Sequence, residues 1–400
     1  MQSNLTASVD SLPTLAGNPK TTRGRRRLPA PAFVLLVGLA TYVTVGAILL
    51  VPDRGDDFRR FYLSSATWAH GGNPYDVMVD KTGNLNHPLL LPLFWLYTIG
   101  SERAGFLAWS ITSLLLAAAC IPSISRTARL GTVDVAALIL ASTGSYLGFE
   151  YGQVTFVLMA IFTAAWCADR HGNVVTSAAL LGVLSVLKPF YGLFAFYFLW
   201  RRSWRAFTVF SAVFLAGMFA GWALVGTSGF VEWLSQLQQV EWRWHLYNAS
   251  AWGVGDRLFT VQPFFAAAHW TPLVVSQTYA LVLSSVILVG VAVVLFRGAT
   301  KSDVDHSYAL VGLAGVLSSP LGWLYYLPPL AGPIIVTLGR APSRWLWVVG
   351  TLGVCPYLFL VGRDYGRLGT LFVGQWAFAV VGGLFLLVAM SPRRPSANEG

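Results

Sequence analysis

Residues 273–296 run from end to end without a charged side chain, and several other stretches of the chain are nearly as apolar. Coiled as an α-helix at about 1.5 Å per residue, such a run crosses the roughly 30 Å hydrocarbon core of a bilayer. Several runs of this kind in one chain narrow the choice of fold sharply. Inside lipid every backbone N–H and C=O has to be paired within the protein, so only helices and closed barrels cross. A barrel requires short strands of alternating polarity. These runs are continuous instead, and the chain reads as all-α, a polytopic transmembrane helical bundle. Composition agrees: 11% of the residues are charged, 55% are hydrophobic, and the mean hydropathy is +0.60. A soluble domain carries about 25% charged residues, enough to cover a water-facing surface.

In order, the apolar runs are 31–51, 104–122, 133–149, 154–168, 174–187, 190–200, 206–225, 273–296, 307–318, 321–338, 345–361 and 371–390. That makes about twelve candidate spans in a single domain, residues 29–391. Residues 1–28 are rich in Ser, Thr, Pro and Gly and read as a disordered cytoplasmic tail, with a second short tail at 392–400. The first run is long enough for a retained anchor and lacks a small-x-small cleavage site. Two runs are broken by proline, at Lys188-Pro189 and at Ser319-Pro320. Irregular backbone at membrane depth is tolerated where it lines a cavity, so both breaks are expected in cavity walls.

The net charge of +10 excludes little by itself. In a membrane chain it marks basic loops that hold the cytoplasmic side, and Arg23, Arg25, Arg26 and Arg27 precede the first run in that manner. Nucleic acid is not an expected partner. With the basic tail inside, Arg126, Arg129, Arg170, Arg201, Arg202, Arg205, Arg297 and Arg340 all fall on the cytoplasmic side, provided that residues 87–100 do not cross. The same count sends Asp56, Asp57, His87, Glu150, Gln153, Lys188 and residues 318–326 to the outer face. Two outer loops follow, one at 52–103 that carries the two acids and a Trp-rich one at 226–272. Within the second, residues 230–246 suit an amphipathic helix lying in the interface.

Asp56 and Asp57 directly follow the first span. An acidic side chain at a helix start is favoured by the helix dipole, which accounts for one of them. A second carboxylate there suits a general base for a sugar hydroxyl. Lys188, between apolar segments, either reaches for the interface or serves a phosphate as a compact charge. His87 is a candidate donor to a leaving phosphate oxygen, and Glu150 and Gln153 form a polar turn at the outer rim. No second acid supports a metal at Glu150, so no metal site and no cofactor are expected. Cys120, Cys167 and Cys355 lie in apolar context and read as buried thiols. Phosphate-loop, dinucleotide, zinc-protease and serine-elbow patterns are absent.

The segments Asp57-Phe-Arg-Arg-Phe-Tyr62 and Gly71-Gly-Asn-Pro-Tyr75 resemble the opening signature of glycosyltransferase family 87. Asn86-His-Pro, Gly152-Gln-Val154, Leu187-Lys-Pro189 and Ser319-Pro-Leu-Gly-Trp323 follow in that family's order. The resemblance implies a GT-C-type fold with a polyprenyl-phosphate sugar as donor, mannose first and arabinofuranose as the alternative. The acceptor would be a lipid-linked or glycan hydroxyl, reached from the membrane lipids on the outer face of the cytoplasmic membrane. By the same resemblance Asp57 is the general base, inversion follows from direct displacement, and Lys188 meets the leaving phosphate. Tyr62, Trp323 and Tyr326 join the substrate-binding candidates. Two positions depart from the pattern. His87 stands where the family has tyrosine, and Leu324-Tyr325-Tyr326 stands where it often carries a histidine. A transporter or flippase of lipid-linked sugars is the rival reading. Its mark would be paired broken helices in two repeats, and no such repeat is visible here.

Overall fold

The computed structural model describes residues 56–79, 83–238, 242–261, 272–299, 303–339 and 374–391, with Val37 and Ala40 besides. Both tails, most of the first expected span and the span expected at 345–361 lie outside the described residues. Within them the regular structure is helical, with no strand; Asn248 and Trp323 form an isolated antiparallel bridge.

Helix α1 (Asp56–Ala69) leads through a short α2 (Leu90–Trp95) into α3 (Glu102–Ala128). A bent pair follows, α4 (Thr132–Leu140) and α5 (Thr143–Glu150), with a 63° angle between them. Two antiparallel helices come next, α6 (Thr155–Arg170) and α7 (Val174–Leu187). A 3-10 turn (Pro189–Leu193) opens α8 (Phe194–Trp200), which precedes the long α9 (Trp204–Gln238). The remainder is α10 (Ala251–Phe259), α11 (Gln277–Ala299), α12 (Val304–Ser318), α13 (Leu327–Leu338) and α14 (Trp376–Met390).

Three helices are long and apolar enough to cross a membrane, in α3, α9 and α11, and the bent pair makes up to four. The expected run at 190–200 divides into the 3-10 turn and the seven-residue α8. Residues 87–100 contain only the six-residue α2, too short to cross. In the Trp-rich loop the helical part starts earlier than expected. α9 continues the preceding apolar run to Gln238 through a kink at Gly226, whose φ of 70° suits a residue without Cβ.

The helices differ in what they bury. α11 leaves Val282, Val286, Val289 and Phe296 exposed, and α9 leaves Leu215 and Phe219 exposed, an outer face suited to lipid rather than water. α12 is buried on every side from Asp305 to Leu317. An apolar helix buried all round is a central helix, and α12 packs against α13, α14, α11 and α6. Arg170 at the end of α6 and Trp166 one turn earlier both donate to Asp305 in the first turn of α12, the indole at 2.9 Å.

Candidate active site

α1 begins on its two acids, Asp56 and Asp57, where the unpaired N–H groups of a first turn favour negative charge. Phe58 and Phe61 anchor it. Phe61 stacks on Phe94 of α2 at 4.1 Å, and Phe58 meets Phe106 of α3 edge-on at 5.5 Å. The Phe58 N–H donates to the carbonyl of Tyr151 at 2.9 Å, joining the start of α1 to the turn after α5. That approach requires Gly152, which has φ 66° and where a Cβ would stand 2.5 Å from the Cβ of Phe58. The turn then delivers Gln153, whose Nε2 donates to Asp57 Oδ2. Arg60, one turn into α1, donates to Asp57 Oδ1 at 2.6 Å and to the carbonyl of Val79 at 3.3 Å. Both oxygens of Asp57 are thereby oriented, while its side chain keeps 25% of its surface.

Lys188 lies at the break between α7 and the 3-10 turn, with extended φ −143° and ψ 103°. Proline at 189 disfavours helical backbone at Lys188, ends α7 there and opens the 3-10 turn. The lysine ammonium donates to Asn86 Oδ1 at 2.7 Å and sits 5.5 Å from the centre of the Tyr326 ring. Burial lowers its pKa to about 8, against the opposing pull of the Asp57 carboxylate.

The second proline break is held by the loop before α10. Asn248 Nδ2 donates to the carbonyl of Pro320 at 2.9 Å, and its Oδ1 accepts from the N–H of Gly322 at 2.9 Å. Ala249 N–H donates to the Gly322 carbonyl at 2.7 Å, and Leu324 N–H to the Tyr247 carbonyl at 3.0 Å. Two segments distant in sequence become one wall. Trp323 stacks with Tyr325 at 5.8 Å, and His245 meets Trp323 edge-on at 5.3 Å. His245 takes the Tyr247 N–H on Nδ1 at 3.3 Å. Burial, and secondarily Arg257, lower its pKa to about 4, so it is neutral at physiological pH.

These walls enclose a polar cleft of about 250 Å³ that Asp56, Asp57, Gln153, Lys188, Trp323 and Tyr326 all line. Beside it opens an apolar chamber of about 530 Å³ between α7, α9 and the end of α12. Leu85, Lys188, Leu321 and Tyr326 border both.

Three residues expected at the site lie elsewhere. His87 faces the chamber, edge-on to Trp233 at 4.9 Å, with Nδ1 accepting from the Leu89 N–H at 3.3 Å. Burial lowers its pKa to about 4, so at neutral pH the ring is uncharged. Tyr62 turns away, donating to the Gly100 carbonyl at 2.8 Å. Glu150 is buried at the end of α5 and does not line the cleft. In the other direction, the cleft gains Arg60, Asn86, Tyr151, Trp242, His245 and Tyr247. Arg60 and Asn86 lay inside motifs already singled out, whereas His245 carries no local signal beyond its Trp-rich neighbourhood. Among the described residues no three His, Cys, Asp or Glu side chains gather as a metal-ligand group.

The chain is 25% identical over 390 residues to a polyprenol-phosphate-mannose-dependent alpha-(1-2)-phosphatidylinositol pentamannoside mannosyltransferase of Mycobacterium tuberculosis (strain CDC 1551 / Oshkosh). The alignment covers 88% of this chain and 85% of that relative. Among solved structures, ArnT from Cupriavidus metallidurans bound to undecaprenyl phosphate aligns with a TM-score of 0.38 at 15% identity, covering 90% of this chain and 77% of that one. The family model of glycosyltransferase family 87 matches residues 84–320, a stretch that holds Asn86, Gln153, Lys188 and the Ser319-Pro320 break. With more than half of its length matched, the chain belongs to glycosyltransferase family 87.

Proposed function

We propose that this protein transfers mannose from a polyprenyl-phosphate sugar to a hydroxyl of a lipid-linked or glycan acceptor, at the outer face of the cytoplasmic membrane. The observation that carries this reading is the shared cleft: an oriented carboxylate, Asp57, and a cation, Lys188, line one polar space that adjoins an apolar chamber. A lipid phosphate sugar has a matching division into long apolar tail, anionic bridge and polar sugar. The tail takes the chamber, the phosphate meets Lys188 at the border, and the sugar enters the cleft.

In the reaction the acceptor hydroxyl gives its proton to Asp57 as its oxygen attacks the anomeric carbon. The bond from that carbon to the phosphate oxygen breaks, and its electron pair leaves with the lipid phosphate. Lys188 offsets the negative charge that gathers on the departing oxygen. Attack opposite the leaving group inverts the anomeric centre. Gln153 and Arg60 hold the base in line, and Trp323 and Tyr326 shape the sugar's side of the cleft. The printed dependence of the mycobacterial relative on polyprenol-phosphate-mannose supports mannose as the sugar.

We read the whole chain as a GT-C-type bundle of about twelve spans with both termini cytoplasmic. Helix polarity supports this side assignment. α6 starts two residues after Gln153 of the cleft and runs to Arg170, and α7 returns to end just before Lys188 of the cleft. α8 then ends at Arg201, away from the cleft-lining break at Lys188. In these three helices the arginines and the cleft residues separate to opposite ends, as the positive-inside rule expects.

The deciding experiment offers radiolabelled polyprenyl-phosphate mannose to membranes bearing wild-type or Asp57→Asn protein. Label in lipid-extractable product with wild type, lost in the variant at equal protein level, is the expected result. Transfer only from another lipid-linked sugar, arabinose being next, would overturn mannose alone. No transfer from any of them, with movement of the lipid sugar across the membrane instead, would replace the enzyme by a flippase.

A further inference from the structure

The two cations of the cleft are used differently. Arg60 is bound to Asp57 at 2.6 Å, so much of its charge is answered by that carboxylate. Lys188 forms no ion pair among the described residues; its partner is the uncharged amide oxygen of Asn86 at 2.7 Å. The amide is itself fixed. Asn84 Oδ1 accepts from the backbone N–H of Asn86 at 3.0 Å and from its Nδ2 at 3.1 Å, which points Oδ1 toward the lysine. The buried Tyr75 donates to the Asn86 carbonyl at 2.9 Å and ties the same turn to the segment after α1. A neutral acceptor orients an ammonium without cancelling its charge, whereas a carboxylate at that distance would do both.

We propose that Asn86 is a positioning residue that presents Lys188 to the donor phosphate as a cation held by a neutral partner. The inference rests on the donor reading above and assigns a role to a side chain that does not touch the reacting atoms. It also ties the strength of phosphate binding to the protonation of a single lysine. The other charged or titratable groups that share the two spaces with Lys188 are Asp56, Asp57 and Arg60 from α1, His87 from the 83–87 turn, Tyr151 after α5, His245 and Tyr247 from the loop before α10, and Tyr325 and Tyr326 beyond the second break. His245 is neutral in the working range, as given above, so the lysine is the group expected to set the alkaline limb.

The test measures binding of farnesyl phosphate to the purified full-length protein in detergent, read by tryptophan fluorescence, from pH 7 to pH 10. In wild type, affinity should fall as pH rises through about 8, where Lys188 loses its proton. Asn86→Asp adds a negative neighbour, so binding at pH 7 should weaken about tenfold while the limb moves to higher pH. Asn86→Ala removes the acceptor, so the limb should move to lower pH. Opposite movements in two variants of unchanged thermal stability are the signature of positioning. If both variants keep the wild-type limb, whatever they do to affinity, Asn86 has only a structural role and the proposal fails. If wild type binds no farnesyl phosphate at any pH, the donor reading fails and takes this inference with it.

Discussion

Two aspartate–arginine pairs flank α6, roughly 24 Å apart if its length is taken as a regular helix. At one end Asp57 pairs with Arg60; at the other Asp305 pairs with Arg170. Both aspartates sit in the first turn of a helix. They differ in what occupies the space beyond the carboxylate. Asp305 is 3% exposed and takes the Trp166 indole as well, so it binds α6 to α12. Asp57 is 25% exposed, and its open side is the cleft. Pair chemistry alone therefore does not mark an active site. What marks it is an oriented carboxylate with room left for a substrate.

The sharpest way to break this contrast is to neutralise each acid in turn. Asp57→Asn should lower turnover about a thousandfold with the melting temperature unchanged, since a general base contributes about that much. Asp305→Asn should do the reverse, costing about 1–2 kcal/mol, because the half-buried Arg170 loses its counter-charge but keeps an oxygen acceptor, while turnover per folded molecule holds. Thermal unfolding in detergent beside transfer assays separates the two. A turnover loss in Asp305→Asn equal to that in Asp57→Asn would erase the distinction.

A smaller effect sharpens the cleft end of the comparison. Lys188→Ala should raise the KM for the lipid-phosphate donor about a hundredfold and leave the acceptor KM unchanged, because it removes one half of a desolvated charge contact. Equal changes in both constants would take Lys188 away from the phosphate.

The pH dependence should follow the same lysine. Its pKa is lowered from the ordinary lysine range to about 8, so the charged form is present below that pH and lost above it. Donor kcat/KM should then fall about tenfold for each unit above pH 8, and in Lys188→Arg that limb should disappear because guanidinium keeps its proton. A flat wild-type profile from pH 7 to 9.5 would refute the dependence.

The least effect belongs to Tyr62, which the structure turns toward Gly100 rather than the cleft. Tyr62→Phe should cost about 1 kcal/mol of stability, one hydrogen bond, with both KM values unaltered. A changed KM would return Tyr62 to the substrate.

How much of this was legible beforehand varies with the range of the interaction. The pair Asp56-Asp57 at a helix start was readable because capping and dipole effects act within one turn. The breaks at Lys188 and Ser319 were readable because proline acts on its immediate neighbours. The surroundings of His87 were not readable by the same local reasoning: its polar neighbours in sequence gave no hint that α9 would close over it and that it would line the apolar chamber. Tyr62 follows Asp57 by five residues along α1, which places it on another face of the helix. Proximity in a motif was mistaken there for proximity in space.

By itself the sequence determined the class of solvent and the backbone: long uncharged runs must coil into helices in lipid, and the prolines after Lys188 and Ser319 mark where two of them break. Only the tertiary structure decided the membership of the cleft. The contact from Gln153 to Asp57 joins residues 96 apart, that from Lys188 to Asn86 joins residues 102 apart, and that from Asn248 to Pro320 joins residues 72 apart. A side chain carries its chemistry wherever it lies in the chain. Its partners are set by helix packing, which depends on shapes contributed by every buried residue at once and has no signature at any one of them.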